Sequence, residues 1–234
     1  MRQVNANIEV EDENKILNRI EGVFLSLKKN GLGSTIKKIN EHLSYRAKGV
    51  DFKSQNIGNL TRTGEFKDEG TALISSSKDF LTKVIKDLEK TIGKPVKKSL
   101  FIDYGSGKGS AIIHAKNIGF EKTIGVEFAK ELHEIAVENI AKFNIKNVQS
   151  FYADATSYPP PKDVSIIYFN NPFTEVVMEK VVQNILNEKK NFIDDVYIVY
   201  GSASTDMLKE KFEFLKEVVY PNGARADFYK ITKE

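Results

Sequence analysis

Three glycines at alternate positions, Gly105, Gly107 and Gly109, follow a short run from Ser99 to Ile102 and an acidic residue, Asp103. A helix-like pattern comes next, and the apolar run after it ends in a second acid, Glu127. Strand, glycine turn, helix, strand is half of a nucleotide-binding α/β sheet. Glycine lets the backbone turn tightly and lie against a ligand. A carboxylate at the end of the second strand can accept both hydroxyls of a ribose. The pattern therefore predicts a ligand containing adenosine. The spacing is G-x-G-x-G, whereas the dinucleotide fingerprint is G-x-G-x-x-G. A Walker phosphate loop is excluded, because Ile102 and Gly109 stand where it needs Gly and Ser or Thr.

With these residues in view, the chain resembles the class I (seven-strand) S-adenosylmethionine-dependent methyltransferases. Their first motif, acidic-x-G-x-G-x-G, corresponds to Asp103 through Gly109, and their ribose-binding acid to Glu127 in Gly125-Val126-Glu127. Their third motif appears as Asp154-Ala155 and their fourth as Asn170-Asn171-Pro172-Phe173. The ordered set lies within residues 99–200. The resemblance implies an α/β, Rossmann-like, seven-stranded and mostly parallel sheet with a terminal antiparallel hairpin, plus an N-terminal helical extension. It implies S-adenosyl-L-methionine as cofactor and no metal. The cofactor-binding residues would be Asp103, Tyr104, Gly105, Gly107, Gly109, Glu127, Phe128, Asp154, Ala155 and Asn170. The glycine loop would meet the methionine end at a helix N-terminus, where free N–H groups suit a carboxylate.

The fourth motif bears on the chemistry, with Asn170, Pro172 and Phe173 as the candidate catalytic residues. In amine and amide methylases it reads Asp/Asn-Pro-Pro-Tyr/Phe, and its amide or carboxylate aims the acceptor nitrogen at the methyl group. Here Asn171 replaces the first proline. The doublet resembles instead the Asn-Asn-Phe of the non-SET (disruptor-of-telomeric-silencing) lysine methyltransferases, which share the D-x-G-S-G-x-G loop and G-V-E strand. Uncharacterised prokaryotic methyltransferases with an upstream G-V-D, here Gly49-Val50-Asp51, are also similar. The expectation is transfer to nitrogen, with a protein lysine or small-molecule amine favoured over nucleic acid. The alternatives are O-methylation of a sugar or metabolite hydroxyl, with Asp51 as base, and a non-catalytic module binding cofactor or RNA.

Outside the motifs, apolar spacing predicts a helix over 13–29, a shorter one around Ile36, Ile39 and Leu43, and one capped by Ser76. An aperiodic stretch from Ser44 to Ile74 reads as a lid or a wrap. Strands are expected near 99–103, 123–127, 147–152, 164–169 and 195–200, then a hairpin across Pro221-Asn222-Gly223. Pro159, Pro160 and Pro161 leave little room for a helix in the third crossover. The domains expected are 1–97, helical and lid-forming, and 98–234, cofactor-binding. With 35 Lys and Arg against 32 Asp and Glu, charge neither demands nor excludes a nucleic-acid partner. The scattered lysine doublets read as solvated helix faces. The chain has no cysteine, and so no disulfide or thiol nucleophile. No run approaches the about 18 apolar residues of a membrane span, so no membrane partner and a cytoplasmic location are the expectation.

Overall fold

The computed structural model describes residues 21, 24–25, 27–28, 31–33, 35–36, 39–53, 60–65, 75–203 and 205–233. Backbone contacts group residues 1–48 with 221–223 and, separately, 49–220 with 224–234. In the first group the described residues between 21 and 47 are helical. Gly31 has φ 77°, and the Thr35 hydroxyl donates to its carbonyl at 2.9 Å. Residues 13–20 of the first expected helix lie outside the described residues.

The second group is built on one seven-stranded sheet. Its strands are β1 (Leu100–Tyr104), β2 (Lys122–Glu127), β3 (Val148–Tyr152), β4 (Val164–Asn170), β5 (Val196–Gly201), β6 (Glu213–Val219) and β7 (Arg225–Ile231). The order is β3-β2-β1-β4-β5-β7-β6. β1 to β5 run parallel, and β7 pairs antiparallel with both β5 and β6. Helices are α1 (Lys78–Ile92), α2 (Ser110–Ile118), α3 (Lys130–Phe143), α4 (Glu175–Glu188) and α5 (Met207–Lys211). Between β3 and β4 there is only a 3-10 turn, Ala155–Ser157, with the three prolines after it.

The central strands are mostly apolar and buried along nearly their whole length because both faces are covered. On one face Phe101, Ile166, Tyr168, Val199 and Phe228 meet Leu81, Val84, Ile85 and Leu88 of α1 and Ile112 and Ile113 of α2. On the other, Ile102, Tyr104, Ile167, Phe169 and Ile198 meet Val177, Met178, Val181 and Ile185 of α4. Ser77, not the expected Ser76, caps α1, accepting from the Phe80 N–H at 3.2 Å. Ser76 is instead buried against the Tyr168 hydroxyl at 2.8 Å, a tertiary bond that sequence spacing does not reveal. Among the described residues no helix is long and apolar enough to cross a membrane.

This topology places the site. The strand order reverses between β1 and β4, and ligands of open α/β sheets bind outside the carboxyl ends at such a point. Asp103 lies beside Gly125 in β2 and Tyr168 in β4. Register partners in a parallel sheet share a face, and alternation carries that face two residues on. Asp103, Glu127 and Asn170 therefore lie on one face, the face covered by α1 and α2.

Candidate active site

The loop after β1 takes its course from backbone bonds to the end of β2. Gly105 and Ser106 N–H both donate to the Val126 carbonyl, at 2.9 and 3.1 Å. Gly107 N–H donates to Glu127 Oε2 at 2.7 Å, and Ala129 N–H to Oε1 at 2.8 Å. Gly105 and Gly107 have φ of 78° and 53°, left-handed values that favour glycine. At Gly105 a side chain is also excluded by contact, since a Cβ there would lie 2.3 Å from Pro172 Cβ. The glycine loop and the loop after β4 thus touch across the switch point.

Two buried carboxyl groups face this junction. Glu127 is 3% exposed, and burial pushes its pKa up to about 7 against the hydrogen bonds from Ala129, Gly107 and Phe128. Asp103, 4% exposed, is held well above the usual carboxylate range by burial first and then by the charge of Glu127. No described residue donates a hydrogen bond to Asp103. The two Glu127 oxygens have further lone-pair capacity beyond these backbone bonds. A ligand with hydroxyl and ammonium donors suits such a pair, because its donors offset the cost of burying the charges.

Asn170 ends β4 beside Gly201 of β5. Asn171 then adopts φ 48°, which Asn tolerates and proline, fixed near −65°, cannot reach. The departure from the two-proline motif therefore reflects a different turn after β4. Pro172 sits on Gly105, but Phe173 is 7% exposed and packs in the core with Val177 and Met178.

Other residues expected at the site are placed as follows. Tyr104 is wholly buried, stacks on Phe169 at 5.7 Å between centroids and donates to the Tyr158 carbonyl at 2.8 Å. Its ring therefore belongs to the core, and only its backbone borders the loop. Ala155 is likewise a core residue. Asp154 caps the 3-10 turn, accepting from Thr156 N–H and Oγ1, both at 2.8 Å. Phe128 packs with Leu60, Ala129 and Leu132.

Part of the aperiodic stretch turns out to be tied to this edge. Arg62 bridges to Ala129, Thr63 N–H donates to the Phe128 carbonyl at 2.9 Å, and Lys130 N–H to the Thr61 carbonyl at 2.8 Å. A Cβ on Gly64 would fall 1.9 Å from Asp154 Oδ2, so segment 60–65 lies between the end of β2 and the third motif. Sequence reasoning also missed Lys108 and Asn139, both buried. The available signal was a lysine inside a glycine turn whose neighbours must be buried. Asp51, the conceivable base for a hydroxyl acceptor, is engaged instead with Lys108 Nζ at 2.7 Å.

The fold is that of the class I S-adenosylmethionine-dependent methyltransferases. An RNA methyltransferase from Salinibacter ruber, solved with S-adenosyl-L-homocysteine, matches with a TM-score of 0.53 and 15% identity, over 69% of this chain and 95% of that one. The T. thermophilus 16S rRNA N2 methyltransferase, solved with AdoMet and guanosine, matches with a TM-score of 0.51 and 18% identity, over 69% of this chain and 44% of that one. In sequence, a tRNA (guanine-N(7)-)-methyltransferase of Pediococcus pentosaceus is 36% identical over 87 residues, 35% of this chain. The chain spans 41% of the length of that relative. The chain belongs to the family described as Conserved hypothetical protein 95, which matches residues 80–224. These matches correct the expectation that a protein or small-molecule acceptor would come ahead of nucleic acid, since the similar proteins are methyltransferases of tRNA, rRNA and RNA.

Two outcomes follow from this geometry. In the ligand-free protein Glu127 titrates near 7, against an ordinary 4.5. Its contribution to stability is complete below pH 4.5 and is lost as pH rises through 7, because only the unfolded chain ionises it in that window. The stability of wild type relative to Glu127→Gln should thus fall by about 3 kcal/mol from pH 4.5 to 7.5 in urea titrations, and a flat difference would contradict the burial argument. Separately, Asn171→Gly should fold as well as wild type, whereas Asn171→Pro should lose more than about 1 kcal/mol. Equal denaturation midpoints for the two variants would refute the left-handed turn.

Proposed function

We propose that this S-adenosylmethionine-dependent methyltransferase acts on a base nitrogen of RNA, with guanine the first base to test. The observation that carries the reading is the placement of Asn170 at the carboxyl end of β4, across the switch point from the glycine loop. An uncharged amide there can accept an acceptor's N–H without holding an amine in its protonated, unreactive form. A base amine is neutral at physiological pH and needs no prior deprotonation. That suits residues 170–173, which contain no ionisable side chain. The names of the similar proteins, two of which specify guanine or guanosine, support the choice of RNA.

In this reading residues 98–234 form the cofactor-binding domain, and segments 49–53 and 60–65 strap it. Glu127 would accept from the ribose hydroxyls and Asp103 from the ammonium group. The amides at the start of α2 would receive the carboxylate. When bound, the cofactor supplies an electrophilic methyl carbon for in-line attack by the acceptor nitrogen. The chain's part is to hold acceptor and donor in register, the main source of rate in such a displacement. Asn170 would fix the acceptor amine while Pro172, braced on Gly105, keeps the two loops together. The likeness to lysine methyltransferases rests on the doublet Asn170-Asn171 and the two cofactor motifs, and the reading does not extend it to a lysine acceptor. A hydroxyl acceptor would need a base, and Asp51 is paired with Lys108 instead.

Methyl-labelled cofactor should transfer label into total RNA, and nucleoside mass spectrometry should find it on a base. Asn170→Ala should lower that transfer by roughly 10²–10³ through lost positioning, with S-adenosylhomocysteine affinity changed only a few-fold. Label entering the protein or small-molecule fraction but not RNA would overturn the reading.

A further inference from the structure

We infer that Asp51 is a positioning residue of the cofactor site, holding the glycine loop in its ligand-ready course through the buried ammonium of Lys108. This rests on the reading that the cofactor lies at that loop. Lys108 sits between Gly107 and Gly109, and its side chain is 3% exposed. A buried ammonium is tolerated only when paired, and here it is paired with Asp51 Oδ2 at 2.7 Å. Burial tends to raise the Asp51 pKa, but the hydrogen bond and charge of Lys108 and the contacts from Lys53 outweigh it, leaving Asp51 more acidic than usual.

One buried amide links the two backbones. Asn139 of α3 is fully buried; its Oδ1 accepts from Asp51 N–H at 3.0 Å. Its Nδ2 donates to the Asp51 carbonyl at 2.9 Å and to the Lys108 carbonyl at 3.0 Å. Lys108 is thereby fixed at both its carbonyl and its ammonium. The strap carrying Asp51 has anchors of its own. Lys142 Nζ donates to the Gly49 carbonyl at 2.8 Å and the Ser75 hydroxyl to the Phe52 carbonyl at 2.7 Å. The Phe52 ring stacks on Phe143 at 6.3 Å and meets His114 edge-on at 5.6 Å. Asp51 is thus a fixed post, and the loop is tied to it.

The consequence lies one residue away. Gly107 is the donor to Glu127, and Gly109 has little freedom to shift, since a Cβ there would lie 3.2 Å from Ala136 Cβ. If Lys108 moves, the Gly107 N–H is the group displaced, and the carboxylate that would take the ribose loses its alignment. Asp51 makes its bonds to Lys108, Asn139 and Lys53, none of them in the fourth motif. Its loss should therefore weaken cofactor binding and leave the transfer step at saturating cofactor largely intact.

The test is calorimetric titration of S-adenosylhomocysteine into wild type, Asp51→Asn and Lys108→Met, with hydrogen exchange of residues 105–109 in each free protein. Asp51→Asn should bind about ten- to a hundredfold more weakly, with faster exchange in the loop. The KM for the methyl donor should rise while kcat changes less than threefold, and Asp51→Glu should recover part of the affinity. If Asp51→Asn is too unstable to titrate, Lys108→Met decides, because it leaves no buried charge unpaired and keeps the Asn139 bonds. Wild-type affinity in the variant that is read would overturn the inference. Failure of wild type itself to bind S-adenosylhomocysteine would instead refute the cofactor reading.

Discussion

The carboxyl edge of the sheet depends on one buried carboxylate. Glu127 accepts from the amides of Gly107 and Ala129, at 2.7 and 2.8 Å, and so ties the turn after β1 to the entrance of α3. Its burial is costly and pushes its pKa up to about 7, and the backbone hydrogen bonds it accepts offset only part of that cost. The glycines can be understood from the same tie. A chain that must bring a backbone N–H onto a neighbouring strand's carboxylate, while leaving room for Pro172, needs left-handed turns without side chains.

The site inherits its rigidity from the core beneath it. Tyr104, the last residue of β1, and Phe169, the last but one of β4, stack at 5.7 Å and lie entirely out of solvent, so the residues just beyond them, Gly105 and Asn170, leave a fixed platform. The Tyr104 hydroxyl reaches the Tyr158 carbonyl and pins the chain between the third and fourth motifs. From the other side, segments 49–53 and 60–65 close on the glycine loop and on the end of β2. Residues outside the parallel sheet thus shape both flanks of the edge.

The sheet was readable in the sequence because its strands are short apolar runs punctuated by glycine, proline and acidic residues. Each expected strand lies within a few residues of an observed one. Gly105, Gly107 and Glu127 come together because they belong to one turn and its neighbour, where local spacing carries the information. Tyr104, Ala155 and Phe173 look alike in sequence whether a side chain points to the ligand or to the core; tertiary packing decides, and all three side chains are in the core. The Asp51, Lys108 and Asn139 cluster joins residues as many as 88 positions apart, which no local pattern marks. The acceptor class was misjudged for a related reason, since the four motifs describe the cofactor half and the methyl-transfer position but not the surface that receives the substrate.

The most direct measurement is a crystal structure with S-adenosylhomocysteine bound. The account predicts the ribose hydroxyls on Glu127, the amino-acid end along residues 105–110 and the sulfur turned toward Asn170. A ligand bound elsewhere on the chain, or one that leaves Glu127 in contact only with Gly107 and Ala129, would contradict it.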